Sequence, residues 1–166
     1  MTRTILAIDP GEKSSGWVLC DGIDVIDYGH EQNEQMLDTM PQRLFDLMIL
    51  EEITYGMRVG RQIMRTVFWS GAFACAALMR NKQVRLLPRS TVKKTLCAGV
   101  VRPKDADVSR AVRTRYPKSG GGARPEVGTP KQPGPLLGIK DHCWQALALV
   151  HTWRIARLGE QLEVYP

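Results

Sequence analysis

The sequence predicts an α/β fold in which helices flank one mixed β-sheet. Three short apolar segments near the N-terminus, over residues 3–9, 16–20 and 25–29, are separated by turns and are typical of an antiparallel meander. Strand-like and helical patterns then alternate, which is typical of strands joined by helices that pack on the sheet. With 166 residues, the chain suits a single domain, residues 1–166.

The rest of the chain contains further strand and helix patterns. In order, they predict a helix over 34–46 that contains Pro41, a strand over 47–53, a helix over 56–80, a strand over 83–88, a helix from Ser90 or Thr91, and helices over 105–116 and 141–158. The Gly- and Pro-rich segment 117–135 is expected to be a flexible loop.

The predicted helix over 56–80 is apolar on most sides and rich in Gly and Ala. This pattern indicates a helix that is buried or lies at a subunit interface. For Phe68 and Trp69, core packing is favoured over a role as a wedge between bases.

Charge is unevenly distributed along the chain. The net charge is +6, but residues 1–56 hold eleven acidic and three basic residues, whereas residues 80–131 hold fourteen basic and three acidic ones. Such a segment favours a polyanionic partner, and nucleic acid is the leading candidate. A solvated basic face is the alternative.

Targeting and disulfide signals are absent from the sequence pattern. We find no signal peptide and no apolar run near the ~20 residues that span a bilayer, so we expect a cytoplasmic protein. The four scattered cysteines lack Cys-x-x-Cys spacing and are expected to be buried, reduced thiols.

Carboxylates end two predicted strands, and an acidic residue and a histidine open the last helix. These residues are Asp9, Glu51 with Glu52, and Asp141 with His142. If the first and fourth strands are parallel neighbours, Asp9 and Glu51 emerge at the same edge of the sheet. A helix N-terminus that returns there adds Asp141 or His142.

Clustered carboxylates repel each other and usually need a cation among them. Mg²⁺ fits, because it binds a few carboxylates together with phosphate oxygens of a substrate. Two such ions about 4 Å apart can activate water and stabilise the leaving oxygen in phosphodiester hydrolysis. An acidic site beside a basic segment therefore suggests a nuclease. Each piece also has a simpler interpretation: Asp9 as a turn residue, Glu51 or Glu52 as the solvent-facing end of an edge strand, Asp141 as a helix N-cap, and His142 as a structural histidine.

Three segments, taken in order, resemble the motifs of RuvC-like Holliday junction resolvases, a branch of the RNase H-like nucleases. They are "LAIDPGEKSSGWVL", "ILEEI" followed by a long helix containing Gly and Ala, and "HCWQALALV". The segments "YGMRVG", "KDADV" and "GTPKQPGPLLGI" are similar to parts of a phage-type branch. The match covers nearly the whole chain.

The resemblance implies an RNase H-like sheet and dependence on Mg²⁺, or Mn²⁺ as a substitute, with two ions per active site. It also implies a homodimer that places two active sites on a four-way DNA junction. Cleavage of the junction by phosphodiester hydrolysis is the implied activity.

The resemblance also assigns roles to residues. Asp9 becomes the metal ligand shared by both ions, and Glu51 the second carboxylate, with Glu52 in reserve. His142 and Asp141 belong to the final motif. Lys131 lies where the family often has basic residues near the scissile phosphate. Contacts to DNA phosphates are expected from Arg89, Lys93, Lys94, Arg110, Arg113, Arg115 and Lys131.

One position departs from the family pattern. Many bacterial members have an acidic residue where this chain has Gln145. A Gln amide oxygen is a neutral ligand and adds no charge to balance a divalent ion. One interpretation is that Asp141, one turn earlier, supplies the missing negative charge. The alternatives are that metal affinity is weakened or that the enzyme is disabled. Two other functions therefore stay open: a catalytically weak or inactive junction-binding protein, and a nuclease for other branched or RNA-containing duplexes.

Overall fold

A computed structural model of the chain describes residues 3–54 and 60–158. Its main sheet has five strands in the order β3-β2-β1-β4-β5. β1, β2 and β3 form an antiparallel meander, and β4 and β5 continue the sheet in parallel with β1. The strands are β1 (Thr4–Asp9), β2 (Ser14–Asp21), β3 (Asp24–Gln32), β4 (Leu47–Glu52) and β5 (Gln83–Pro88). The predicted mixed sheet is confirmed.

Helices cover both faces of the sheet. They are α1 (Asn33–Thr39), α2 (Arg61–Leu78), α3 (Arg89–Leu96), α4 (Asp105–Arg113) and α5 (His142–Leu158). α5 packs on β1, β2 and β4 and contacts α3 and α4, whereas α1 and α2 lie on the other face. Side chains of β1 alternate between the two faces: Ile5 and Ala7 contribute to the core under α5, and Leu6 and Ile8 to the core under α2.

Predicted helix boundaries differ from those observed at several helices; α4, for example, ends at Arg113 and not at residue 116. The predicted helix over 34–46 ends at Thr39 and continues only as a 3₁₀ turn, Met40–Gln42, because Pro41 lacks the N–H that an α-helix needs. The predicted helix over 56–80 is observed as Arg61–Leu78, and residues 55–59 lie outside the described residues.

The segment 117–135 contains a small hairpin of β6 (Gly128–Thr129) and β7 (Gln132–Pro133). Backbone hydrogen bonds support it, from Gly120 N to Pro125 O at 2.8 Å and from Gly134 N to Val127 O at 3.0 Å. An ion pair of 3.1 Å between Arg113 and the buried Glu126 joins the segment to α4. The segment therefore has a specific hydrogen-bonded arrangement, and its flexibility stays a prediction.

The outer face of α2 is exposed. Phe68 is 65% exposed, so its predicted core role is wrong, whereas Trp69 packs against the core. Cys75 on the same helix is also exposed, contrary to expectation; the other three cysteines are buried. The cause in both cases is that only one side of α2 faces the sheet. Among residues 3–54 and 60–158, no helix is long and apolar enough to cross a membrane.

Candidate active site

The carboxylates that end β1 and β4 lie at the same edge of the sheet. The strands are parallel and pair Ile8 with Leu50, so Asp9 and Glu51 are the next residues in register. Because side chains alternate along a strand, Asp9 and Glu51 share the face covered by α5, and Glu52 belongs to the opposite face. This placement favours Glu51 over Glu52 as the partner of Asp9.

The start of α5 lies directly over this edge. Gly16 pairs with Asp9 in the sheet, and a Cβ atom on Gly16 would lie 2.5 Å from the Cβ of His142. Only glycine allows this approach, which explains the Gly-Trp sequence at this position. His142 Nδ1 consequently reaches Asp9 Oδ2 at 2.7 Å, and the Asp9 side chain is largely buried.

A buried polar network holds the turn after Asp9. The Ser15 hydroxyl donates to Asn33 Oδ1 at 2.6 Å, and Asn33 Nδ2 donates to the Gly11 carbonyl at 3.0 Å. Ser15 and Asn33 are fully buried. Since buried polar groups that satisfy each other resist rearrangement, this network fixes the direction in which Asp9 leaves the strand.

Glu51 is paired with Arg89 inside the site. β4 and β5 are parallel and pair Glu52 with Pro88, so Arg89 leaves β5 beside Glu51. Arg89 Nη1 lies 3.0 Å from Glu51 Oε2, and Nη2 lies 2.6 Å from Asp105 Oδ1 at the start of α4. Arg89, predicted as a phosphate contact, therefore links the sheet edge to α4.

The ionisation of two groups reflects this crowding. Burial, followed by the negative charge of Asp9, raises the pKa of Glu51 to about 7, although Arg89 opposes the rise. The hydrogen bond to Asp9 raises the pKa of His142 above its usual 6.5 and outweighs the effect of burial. Burial therefore dominates the shift of Glu51, and contact with Asp9 dominates the shift of His142.

Gln145 has an unsatisfied polar atom. Its Oε1 is buried and has no hydrogen-bond partner within the described part of the chain. Gln145 follows His142 by three residues in α5, so the two side chains lie on the same side of the helix. A buried acceptor without a partner costs free energy unless a ligand or water satisfies it.

Two further predicted site residues lie at the periphery. Asp141 is exposed, has a left-handed backbone (φ 47°) and precedes α5, and its carbonyl accepts a hydrogen bond from Trp144 N. Lys131 is exposed in the turn between β6 and β7.

The described residues contain no group of three His, Cys, Asp or Glu side chains arranged to hold a metal ion. In this arrangement the donors are satisfied by protein partners: Asp9 by His142, and Glu51 by Arg89. Two carboxylates and an unpaired amide oxygen are donor types that Mg²⁺ and Mn²⁺ prefer.

Most of the predicted DNA contacts lie on α3 and α4, which begin beside this edge, while Arg115 follows α4; these cations differ in availability. Lys94, Arg110 and Arg115 are exposed, and Arg110 lies 3.2 Å from Asp107 on its own helix. Lys93 lies 3.5 Å from Asp105. Arg113 is occupied by its ion pair with Glu126 and is mostly buried.

Three residues near the site were not predicted: His30, Asn33 and Asp105. His30 pairs with Gly16 in the sheet, and its ring centroid is 5.3 Å from that of His142. His30 and Asn33 depend on strand register and Asp105 on helix packing, for which the sequence contains no local signal.

No family model and no curated protein matches the sequence. The structure resembles a Thermus thermophilus RuvC in complex with a Holliday junction substrate, with a TM-score of 0.65, 17% identity, and coverage of 95% of this chain and 96% of that one. A second structure of Thermus thermophilus RuvC has the same TM-score and identity and covers 94% of this chain and 96% of that one.

The chain thus has the mixed-sheet fold of the RNase H-like nucleases. Its fold is RuvC-like, as the sequence motifs predicted.

Proposed function

We propose that this protein is a metal-dependent endonuclease that cleaves four-way DNA junctions. The observation that carries the proposal is the position of Asp9, Glu51 and His142 at one edge of a RuvC-like sheet, beside a basic surface. Phosphodiester hydrolysis is the reaction for which such a site is suited, because metals neutralise the cleavage site and basic residues hold the backbone. We also propose that the protein acts on DNA in the cytoplasm. If a phage encodes the chain, this is the cytoplasm of the bacterial host.

The residues that would hold Mg²⁺ or Mn²⁺, with two ions per site, are Asp9, Glu51, His142 and Gln145. Asp141, which is exposed just before α5, would lie at the periphery of this site. The orphaned Gln145 oxygen supports this set, because a cation would satisfy it. When bound, the ions supply activation of water and stabilisation of the leaving oxygen.

Arg89 has two roles in this scheme. In the metal-free protein it neutralises Glu51, which would otherwise face Asp9 without a counter-charge. From its second partner, Asp105, the guanidinium would remain beside the site and bind a phosphate of the cleaved strand if Glu51 held a metal ion. Lys131 reaches the same backbone from the hairpin turn.

The wider DNA contact is the surface of α3 and α4. Its exposed cations are Lys94, Arg110 and, just after α4, Arg115. Their contacts to phosphates do not depend on the base sequence and respond to the spacing of the phosphates. We expect the shape of the junction to be recognised, with any sequence preference close to the cut.

A homodimer is the expected assembly, and the exposed face of α2 is its proposed interface. Met64, Val67, Phe68 and Leu78 are each at least 45% exposed on this helix. A Cβ atom on Gly71 would meet nothing within 4 Å, which leaves room for close approach of a second helix. We expect light scattering to give the mass of a dimer for the wild-type protein and of a monomer for the double variant Val67→Glu/Gly71→Glu. A wild-type protein that stays monomeric and binds a junction as one copy would contradict this interface.

A catalytically weak protein that binds junctions is the second candidate. Gln145 adds no charge to balance a divalent ion, and the described residues contain no preformed three-ligand cluster. A nuclease for other branched or RNA-containing duplexes is the third, because related folds cleave several substrates.

A panel of labelled substrates separates these functions. The wild-type protein is incubated with a four-way junction, a three-way junction, an RNA–DNA hybrid and a linear duplex of equal length, each with Mg²⁺, Mn²⁺ or EDTA. Paired, metal-dependent nicks in the four-way junction alone support the first function. Tight binding without cleavage supports the second, and preferential cutting of another substrate supports the third.

A further inference from the structure

A chain of alternating charges runs from the candidate active site to the start of α4. Arg89 Nη1 lies 3.0 Å from Glu51 Oε2, and Arg89 Nη2 lies 2.6 Å from Asp105 Oδ1. Lys93 Nζ lies 3.5 Å from the same oxygen of Asp105. The Glu51 side chain is 14% exposed and that of Asp105 is 63% exposed. The chain therefore connects a largely buried carboxylate of the site to the protein surface.

The inner end of this chain places a positive charge on a proposed metal ligand. The ion pair between Arg89 and Glu51 is mostly shielded from solvent, so water and salt screen the guanidinium weakly. A divalent cation at Glu51 would compete with Arg89 for the carboxylate and would be repelled by the guanidinium. Arg89 therefore lowers the affinity of Glu51 for a cation.

The outer end of the chain makes this block reversible. Asp105 holds the second nitrogen of Arg89, so the guanidinium stays near the site when its contact to Glu51 is lost. Asp105 also contacts Lys93, and it therefore keeps a cation beside it when Arg89 takes another partner. The paired N–H groups of a guanidinium suit a phosphate. A DNA phosphate is thus an alternative partner for Arg89.

We infer that Arg89 couples DNA binding to cation binding: it blocks Glu51 in the DNA-free protein, and a phosphate of the bound DNA draws it off. The affinity for the cation is then highest when DNA is in place, and by linkage the cation strengthens DNA binding by the same factor. This inference rests on the proposed function and adds an order of assembly to it. Such an order keeps the site incompletely loaded until DNA is bound.

Calorimetric titration with Mn²⁺ at pH 8, without DNA, tests the block. Arg89→Gln is expected to tighten Mn²⁺ binding roughly tenfold, because it removes a positive charge beside the ligands. The gain should disappear when Glu51→Gln is also present, since the competition is for that carboxylate. Arg85→Gln is the matched control, because Arg85 lies four residues earlier, on β5, and donates to the Val84 carbonyl. This control should change the Mn²⁺ affinity by less than about twofold.

Junction binding with and without Ca²⁺ tests the release by DNA. Ca²⁺ takes oxygen ligands and serves as the cation in a fluorescence anisotropy titration of a labelled four-way junction. We expect Ca²⁺ to tighten junction binding roughly threefold more, or better, for the wild-type protein than for Arg89→Gln. The reason is that only the wild-type protein has a guanidinium to release from Glu51.

Each contrary outcome overturns a distinct part of the inference. Unchanged or weaker Mn²⁺ affinity in Arg89→Gln, or an equal gain in the Glu51→Gln background, refutes the block and leaves the proposed function standing. Equal effects of Ca²⁺ on both proteins refute the release by DNA. If neither the wild-type protein nor Arg89→Gln binds Mn²⁺, the proposed metal-dependent function is refuted as well. Melting curves of the variants establish that each is folded.

Discussion

Replacing Glu51 by Gln is expected to stabilise the metal-free protein, and more so at alkaline than at acidic pH. The pKa of Glu51 is about 7 in the folded protein and 4.5 when unperturbed. Between these values the folded state holds a proton that the unfolded state has lost, so stability falls as the pH rises from 4.5 to 7. Above pH 7 the full cost of the buried charge is present.

The size of the effect follows from the shift. One pKa unit corresponds to about 1.4 kcal/mol. The raised pKa of Glu51 therefore costs about 3 kcal/mol of stability at pH 8, where the folded carboxyl is ionised, and about 1 kcal/mol at pH 5, where it is protonated. Glu51→Gln should therefore gain about 2 kcal/mol more at pH 8 than at pH 5. For a chain of this length, that difference is roughly 4–8 °C in melting temperature.

The assay is urea unfolding of both proteins in EDTA at pH 5 and pH 8. Comparing the variant with the wild-type protein at each pH cancels the contributions of other titrating groups. Glu52→Gln removes an equal charge on the opposite face of β4 and controls for net charge. Equal effects of Glu51→Gln at both pH values, or greater destabilisation at pH 8, would refute the picture of Glu51 crowded by burial and Asp9.

Three further predictions concern metal, DNA and acid. Gln145→Asp is expected to tighten Mn²⁺ binding roughly tenfold by calorimetry, because it adds charge beside the other ligands; unchanged or weaker affinity would remove Gln145 from the site. Replacing Lys93 and Lys94 together by Ala should weaken junction binding and reduce the slope of log K against log salt by up to about 2; an unchanged slope would place both lysines off the DNA. Burial and nearby Arg115 and Arg154 lower the pKa of His151 from 6.5 to about 4. As the pH falls, the imidazole of His151 therefore becomes protonated in the unfolded state before it does in the folded state. The melting temperature should fall between pH 6.5 and pH 4, and it should fall less steeply for His151→Gln than for the wild-type protein.

The sequence predicted the sheet because its signals are local. Apolar runs and turn residues defined the first three strands. A carboxylate at the end of two such runs placed Asp9 and Glu51 at strand ends. Parallel pairing of β1 with β4 then brought them together, as the structure shows.

Contacts between distant segments could not be predicted in this way. The position of Arg89 on Glu51 depends on the pairing of β4 with β5, and its second partner, Asp105, depends on how α4 packs. The exposure of Phe68 was missed because apolar composition alone does not reveal which side of α2 faces the sheet. Roles in metal and DNA binding stay predictions, since they depend on partners that no local pattern specifies.

Cleavage of a labelled four-way junction by Asp9→Asn in Mg²⁺ is the most direct test of the central claim. The wild-type protein is expected to nick the junction in pairs, and Asp9→Asn to bind it with equal or higher affinity without cutting. Asp27→Asn, which neutralises an exposed carboxylate on β3, should cut like the wild-type protein. Cutting by Asp9→Asn at the wild-type rate would contradict the assignment of Asp9 as the metal-holding carboxylate of a junction nuclease.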